Sequence, residues 1–202
     1  MPANASHAPQ DKASLRARIR FARRQRSSDE RQACRHGIAE HALEALQHCE
    51  ATTVACFIDA AGEPPTTALL QALWAQGIVV LTPRVHGPDL EWVVTTPTSE
   101  LTAGAFGIPE VRTGALGSLD DVQAMLIPAL AIDRDGYRLG QGGGFYDRTL
   151  GDGRAHAPVL AVVFSDEDGI AVPREPHDVA VDGVITEAGV RWVRPVGSPA
   201  TT

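Results

Sequence analysis

The chain has 202 residues, 44% of them hydrophobic and 21% charged, which excludes disorder as the main state and suits one or at most two globular domains. No apolar run approaches the roughly 18–20 residues that span a bilayer, and MPANASHAPQ lacks the charged start and apolar core of a secretory signal, so the expected location is the cytoplasm. The net charge of −7 hides an asymmetry, because residues 12–35 hold nine basic residues against Asp29 and Glu30, or +7, leaving −14 for the rest.

Residues 1–11 read as a disordered tail. Strong helix formers fill residues 12–25, where Lys12, Arg16, Arg20 and Arg23 share one helical edge beside an apolar strip of Leu15, Ile19 and Ala22. A basic helix of this kind either binds phosphate or nucleic acid, or docks on an acidic body. The arm contains only one aromatic residue, Phe21, which argues against nucleic acid as partner. Of the 18 basic residues only Lys12 is lysine. Its compact ammonium can approach a phosphate oxygen where the guanidinium fork does not fit.

Ser27 and Glu30 have capping-box spacing, so a second helix is expected from SSDE to about His48, burying Ile38, Ala42, Ala45 and Leu46. His36, His41 and His48 then face solvent rather than a metal. Cys34, Cys49 and Cys56 are odd in number and form no CxxC pair, which argues against a disulfide framework or a zinc site. Residues 52–58 (TTVACFI) read as a strand, 65–76 as a helix and 77–83 as a second strand, a βαβ unit that implies parallel pairing. Further strands are expected at 90–96, 122–132 (broken at Pro128), 157–164 and 181–187, with a Gly/Pro-punctuated loop at 99–111 and a disordered tail at 195–202. The expected fold is α/β: a three-layer single domain over residues 12–194, with a mostly parallel sheet and helices on both faces.

The densest chemistry lies in AIDRDGYRLGQGGGFYDRTL, residues 131–150. Glycines at 140, 142, 143 and 144 let backbone N–H groups converge on an oxyanion, and a helix starting near Phe145 adds its positive end. No lysine completes a GxxxxGK[ST] loop, and Phe145 stands where GxGxxG requires its third glycine. Arg138, Tyr146 and Asp147 flank the loop with a cation, a ring and a carboxylate, a set suited to phosphate, a flat substrate and Mg²⁺. PREPHDVAVD offers a second carboxylate, Asp178 or Asp182. GxSxG and zincin patterns are absent.

Taken together these segments resemble the 5-formyltetrahydrofolate cyclo-ligases, also called methenyltetrahydrofolate synthetases. The residues that carry the likeness are KASLR and RRQRSSDER, GEPPT (62–66), TPRV (82–85), FGIPE (106–110), IDRDGYRLGQGGGFYDR and PREPHDVAVDGVITE. The resemblance implies ATP- and Mg²⁺-dependent closure of 5-formyltetrahydrofolate to 5,10-methenyltetrahydrofolate, with release of ADP and phosphate. It implies that Lys12 and Arg16 bind ATP phosphates. Arg138, Leu139, Gly140, Gln141, Gly142, Gly143, Gly144, Phe145 and Tyr146 would form the nucleotide loop, with Lys12, Arg138 and Tyr146 as the catalytic groups. Asp147 and Asp178 would hold magnesium. Ile58, Glu63 and Phe106 would contact the folate, with Gln141 and Phe145 facing it from the loop. The family's usual YYD reads FYD here, Gln141 replaces a frequent tyrosine or arginine, and IPALAI stands for PGLAF. These departures bear on affinity and specificity rather than on a charged group. The implied partner is a small reduced folate, bound by a monomer without nucleic acid or membrane. The competing readings are a non-catalytic nucleotide- or folate-binding relative, and an ATP-dependent enzyme acting on another formyl or amide compound.

Overall fold

The computed structural model describes residues 11–104, 107–151, 157–176 and 178–194. The tails expected at 1–11 and 195–202 lie outside it except for Asp11, which belongs to a helix rather than to a tail. Its carboxylate caps α1 (Lys12–Gln25) by accepting the Ser14 N–H at 2.9 Å. Helix α2 (Ser28–His48) opens on the expected capping box. The Glu30 N–H meets Ser27 Oγ at 3.2 Å, and the Ser27 N–H meets the Glu30 carboxylate at 2.6 Å. It buries Cys34 together with the four expected residues.

Helix α1 departs from its pattern at one position. Leu15 and Ile19 are buried, but Ala22 is exposed and the third buried residue is Arg23. The guanidinium makes two 2.7 Å bonds to Glu167, donates to the Ala129 carbonyl at 2.6 Å and lies over Phe164. Hydropathy ranks arginine outside the core. A carboxylate from 144 residues away brings it in.

The remaining elements follow in order. They are β1 (Thr53–Cys56), α3 (Thr67–Ala75), β2 (Val79–His86), β3 (Asp89–Thr95), β4 (Leu101–Ala103), β5 (Pro109–Val111), β6 (Ala124–Pro128), β7 (Ala131–Ile132), β8 (Arg138–Leu139), α4 (Phe145–Gly151), β9 (Val159–Val162), β10 (Gly183–Thr186) and β11 (Gly189–Trp192). Seven strands form one sheet in the order β11-β10-β9-β6-β1-β2-β3. Its interior pairs are parallel, and only the edge strands β3 and β11 run antiparallel to their neighbours. Successive side chains alternate between two apolar layers. Val54 and Cys56 pack with Ile38, Leu69 and Leu73 of α2 and α3, while Ala55 packs with Met125, Ile127 and Leu150 of α4. The architecture is α/β with a mostly parallel sheet and helices on both faces.

Three local features differ from the sequence reading. The apolar run 122–132 breaks at Pro128 as expected, but its second part does not rejoin the sheet: β7 pairs with β8 in a separate hairpin. The segment 99–111 contains the antiparallel pair β4–β5. After β10 the chain turns directly into β11, which the sequence reading did not include. The cysteines are free, and burial pushes their thiols up.

Arg23→Leu leaves the Glu167 carboxylate buried without its cation, and is expected to cost about 3–5 kcal/mol at neutral pH. Burial pushes the Glu167 carboxyl above its usual range, with Arg23 opposing. A carboxyl raised by folding lends stability in acid and loses that contribution as pH rises through its folded value. The loss from Arg23→Leu is therefore largest at neutral pH and shrinks in acid. Urea unfolding at two pH values checks both statements, and a loss independent of pH contradicts the assignment.

Candidate active site

A cleft of about 530 Å³ opens at the carboxyl ends of β1 and β6, the usual ligand position in an open α/β sheet. Phe57, Ile58 and Glu63 enter it after β1, Pro83 and Val85 from β2, and Pro128 from β6. The run from Arg138 to Asp147 forms one wall. Lys12 and Arg16 of α1 close it, facing Glu175 and Asp178. Apart from Asp182, every sequence-predicted site residue within the described region lines this cleft. Phe106 lies outside the described residues. Asp182 lies elsewhere, accepting the Val159 N–H at 2.8 Å beside the sheet. Asp178 is the second carboxylate that reaches the cleft.

The wall is built by local geometry. Asp133 accepts the N–H groups of Asp135 and Tyr137, each at 2.9 Å, and so folds the β7–β8 turn. Its other oxygen takes Arg174 at 2.7 Å, and that guanidinium lies over the Tyr137 ring. This joins the segment carrying Glu175 and Asp178 to the hairpin. From β8 the chain enters the glycines, and α4 begins at Phe145 as expected. Only Gly142 (φ 105°) and Gly144 (φ 70°) need the left-handed region. At Gly144 a Cβ would also lie 2.6 Å from the Arg148 guanidinium, whereas at Gly140 it would meet nothing within 4 Å. Arg16 donates to the Gly140 carbonyl at 2.9 Å, and Arg148 bridges the carbonyls of Gly143 (3.2 Å) and Pro88.

Opposite charges meet across elements. The Lys12 ammonium lies 2.9 Å from Asp178 and 3.0 Å from Glu175. Burial works against its charge, but the bonds to Asp178 and Glu175 outweigh burial and hold Lys12 above its usual value. Arg138 is buried, pairs with Asp147 and donates to the Val179 carbonyl at 2.8 Å. Burial pushes its guanidinium down while Asp147 and Asp178 oppose the shift. Burial also pushes Tyr146 well above the usual phenol value, with Glu63 adding to the effect. Glu63 is pushed up by burial, opposed by the Ala60 N–H it accepts at 3.0 Å. It does not cap α3. Asp59 holds the start of that helix, accepting the Thr66 N–H at 2.9 Å.

Sequence reasoning missed Glu175, which lines the cleft, and the bonds from Arg20 to Gln141 in its wall. Glu175 stood in plain view in PREPHD, three residues before Asp178. Arg20 lay on the cationic edge of α1, but nothing in the sequence marked its partner, Gln141.

The sequence pattern of the 5-formyltetrahydrofolate cyclo-ligase family matches residues 8–187. The chain belongs to this family. The 5-formyltetrahydrofolate cyclo-ligase of Mycolicibacterium smegmatis is 40% identical over 142 residues, covering 66% of this chain and 73% of that one. That of Escherichia coli K12 is 32% identical over 147 residues, covering 69% and 80%. The NMR structure of Aquifex aeolicus 5,10-methenyltetrahydrofolate synthetase superposes with a TM-score of 0.76 at 30% identity, covering 94% of this chain and 96% of that one. The cyclo-ligase fold thus extends over nearly the whole chain.

The glycine geometry sets a test within this family member. Gly142→Ala forces an L side chain into a left-handed backbone and is expected to cost about 1–3 kcal/mol. Gly140→Ala, with open space and ordinary φ, is expected to leave the melting temperature within about 1 °C. Thermal unfolding of both variants checks the contrast.

Proposed function

We propose that the protein converts 5-formyltetrahydrofolate and ATP, with Mg²⁺, into 5,10-methenyltetrahydrofolate, ADP and phosphate. The observation that carries this reading is the meeting in one cleft of the glycine loop, the Lys12–Asp178 pair, the Arg138–Asp147 pair and Glu63. A formamide carbonyl is a poor electrophile and its oxygen a poor leaving group. When bound, ATP supplies the phosphoryl group that lets this oxygen depart as the folate N10 closes the ring. Such a reaction asks the protein mainly for positioning and charge neutralisation.

Lys12, Arg16 and Arg138 supply positive charge toward the phosphates. Tyr146, kept protonated by burial, offers a hydrogen-bond donor at neutral pH. Glu63 accepts paired N–H groups on the edge of the pterin, while Ile58 and Phe145 give it apolar walls. Asp147 and Asp178 suit Mg²⁺, since both line the cleft and both act on the Arg138 guanidinium. Among the described residues no group of three His, Cys, Asp or Glu could hold a metal ion. A pair of carboxylates, completed by phosphate oxygens and water, is the usual setting for this ion. When bound it neutralises phosphate charge. No helix among the described residues is long and apolar enough to cross a membrane, and the reading includes a cytoplasmic monomer.

The test mixes protein, Mg²⁺, ATP and 5-formyltetrahydrofolate and follows absorbance of the methenyl product together with ADP release. Product is expected only with all three small molecules present, and chelating Mg²⁺ is expected to stop it. Binding of folate and nucleotide without product overturns the catalytic reading. Lys12→Arg keeps the charge but replaces a point donor with a fork between Asp178 and Glu175, and is expected to raise the ATP KM about tenfold. Wild-type ATP kinetics in that variant contradict a phosphate role for Lys12.

A further inference from the structure

Glu63 is held from two sides. Its Oε2 accepts the Ala60 N–H at 3.0 Å within its own loop, and its Oε1 accepts from the Gln141 side-chain nitrogen at 3.4 Å. A carboxamide has one accepting and one donating end, and Arg20 decides which end faces Glu63. The Arg20 guanidinium can only donate, and it lies 2.9 and 3.1 Å from Gln141 Oε1, with a further 2.9 Å bond to the Gln141 backbone carbonyl. The Gln141 oxygen is thereby turned toward α1. Its NH₂ group is left facing Glu63, and an ionised carboxylate can only accept. Chemistry permits this order of donors and acceptors and no other.

We infer that Arg20 is a positioning residue for folate recognition, aiming the Glu63 carboxylate at the pterin through the side chain of Gln141. Helix α1 then serves both substrates, with Lys12 and Arg16 on the nucleotide side and Arg20 on the folate side. The inference rests on the reading of Glu63 as the pterin acceptor. It also assigns work to Gln141, whose carboxamide offers the acceptor that Arg20 takes and the donor that Glu63 takes.

A double-mutant cycle tests it. Arg20→Gln is expected to raise the folate KM about three- to tenfold, the worth of one charge-assisted link, with the ATP KM within about twofold of wild type. Arg20→Lys is expected to recover part of the loss, since an ammonium still donates to one of the two Gln141 oxygens. Gln141→Leu removes the link from the loop side and gives the same split should Arg20→Gln fail to fold. On a Glu63→Gln background the Arg20 substitution is expected to add nothing. A raised ATP KM with unchanged folate KM assigns Arg20 to phosphate and overturns the inference. Additive effects of Arg20→Gln and Glu63→Gln also overturn it, while leaving the reading of Glu63 intact. If Glu63→Gln alone leaves the folate KM unmoved, that reading fails and the inference falls with it.

Discussion

The ion pair between Arg23 and Glu167 sets the position of the helix on which the cleft depends. Both side chains are 4% exposed, and the bond has two parallel prongs of 2.7 Å, a geometry that permits one rotational setting of α1. A 14-residue helix with this much positive charge is marginal by itself in water. It is held because Leu15 and Ile19 reach Leu130, Leu139 and Val172, and because Arg23 locks the angle at which they do so. A buried ion pair is close to break-even in energy against well-packed apolar residues. Its contribution here is register. Rotating α1 by one residue would swing Lys12, Arg16 and Arg20 about 100° away from the loop they contact.

The cleft is assembled from charges that the chain keeps far apart. Lys12 meets Asp178 across 166 positions, and Arg16 meets the Gly140 carbonyl across 124. Part of the +7 arm thus meets the acidic remainder across the cleft, where Lys12 and Arg16 face Glu175 and Asp178. In the proposed reaction a nucleotide with its magnesium ion brings an anion for each cation and a cation for each carboxylate. The pairs can exchange partners while the cleft stays near balance, which limits the desolvation cost of closing around phosphate. Arg174 ties Asp133 and Asp135 at the hairpin to the segment carrying Asp178.

Glycine has two separate duties in the loop. Gly142 and Gly144 are set by backbone conformation, while Gly140 has room for a side chain in the structure as it stands. Four glycines in five positions do not by themselves distinguish a turn requirement from space kept for a ligand.

The sequence by itself determined the helices, the parallel core and most of the chemistry-bearing residues that line the cleft. Capping at Ser27, the apolar periodicity of α2 and the βαβ run at 52–83 are local signals, and local signals suffice where propensity and burial agree. The site residues were legible because glycine, carboxylate and cation types recur in short motifs whose chemistry is narrow. Partnership was not legible. Nothing local distinguishes Ala22 from Arg23 as the buried residue, or Asp178 from Asp182 as the carboxylate that reaches the cleft. Nor does the sequence reveal that Gln141 stands between Arg20 and Glu63. Each of these depends on which groups meet across a hundred residues or more, or on which side of a strand a side chain leaves. A charge becomes a core residue only when its counter-charge arrives, and only the tertiary structure brings the two together.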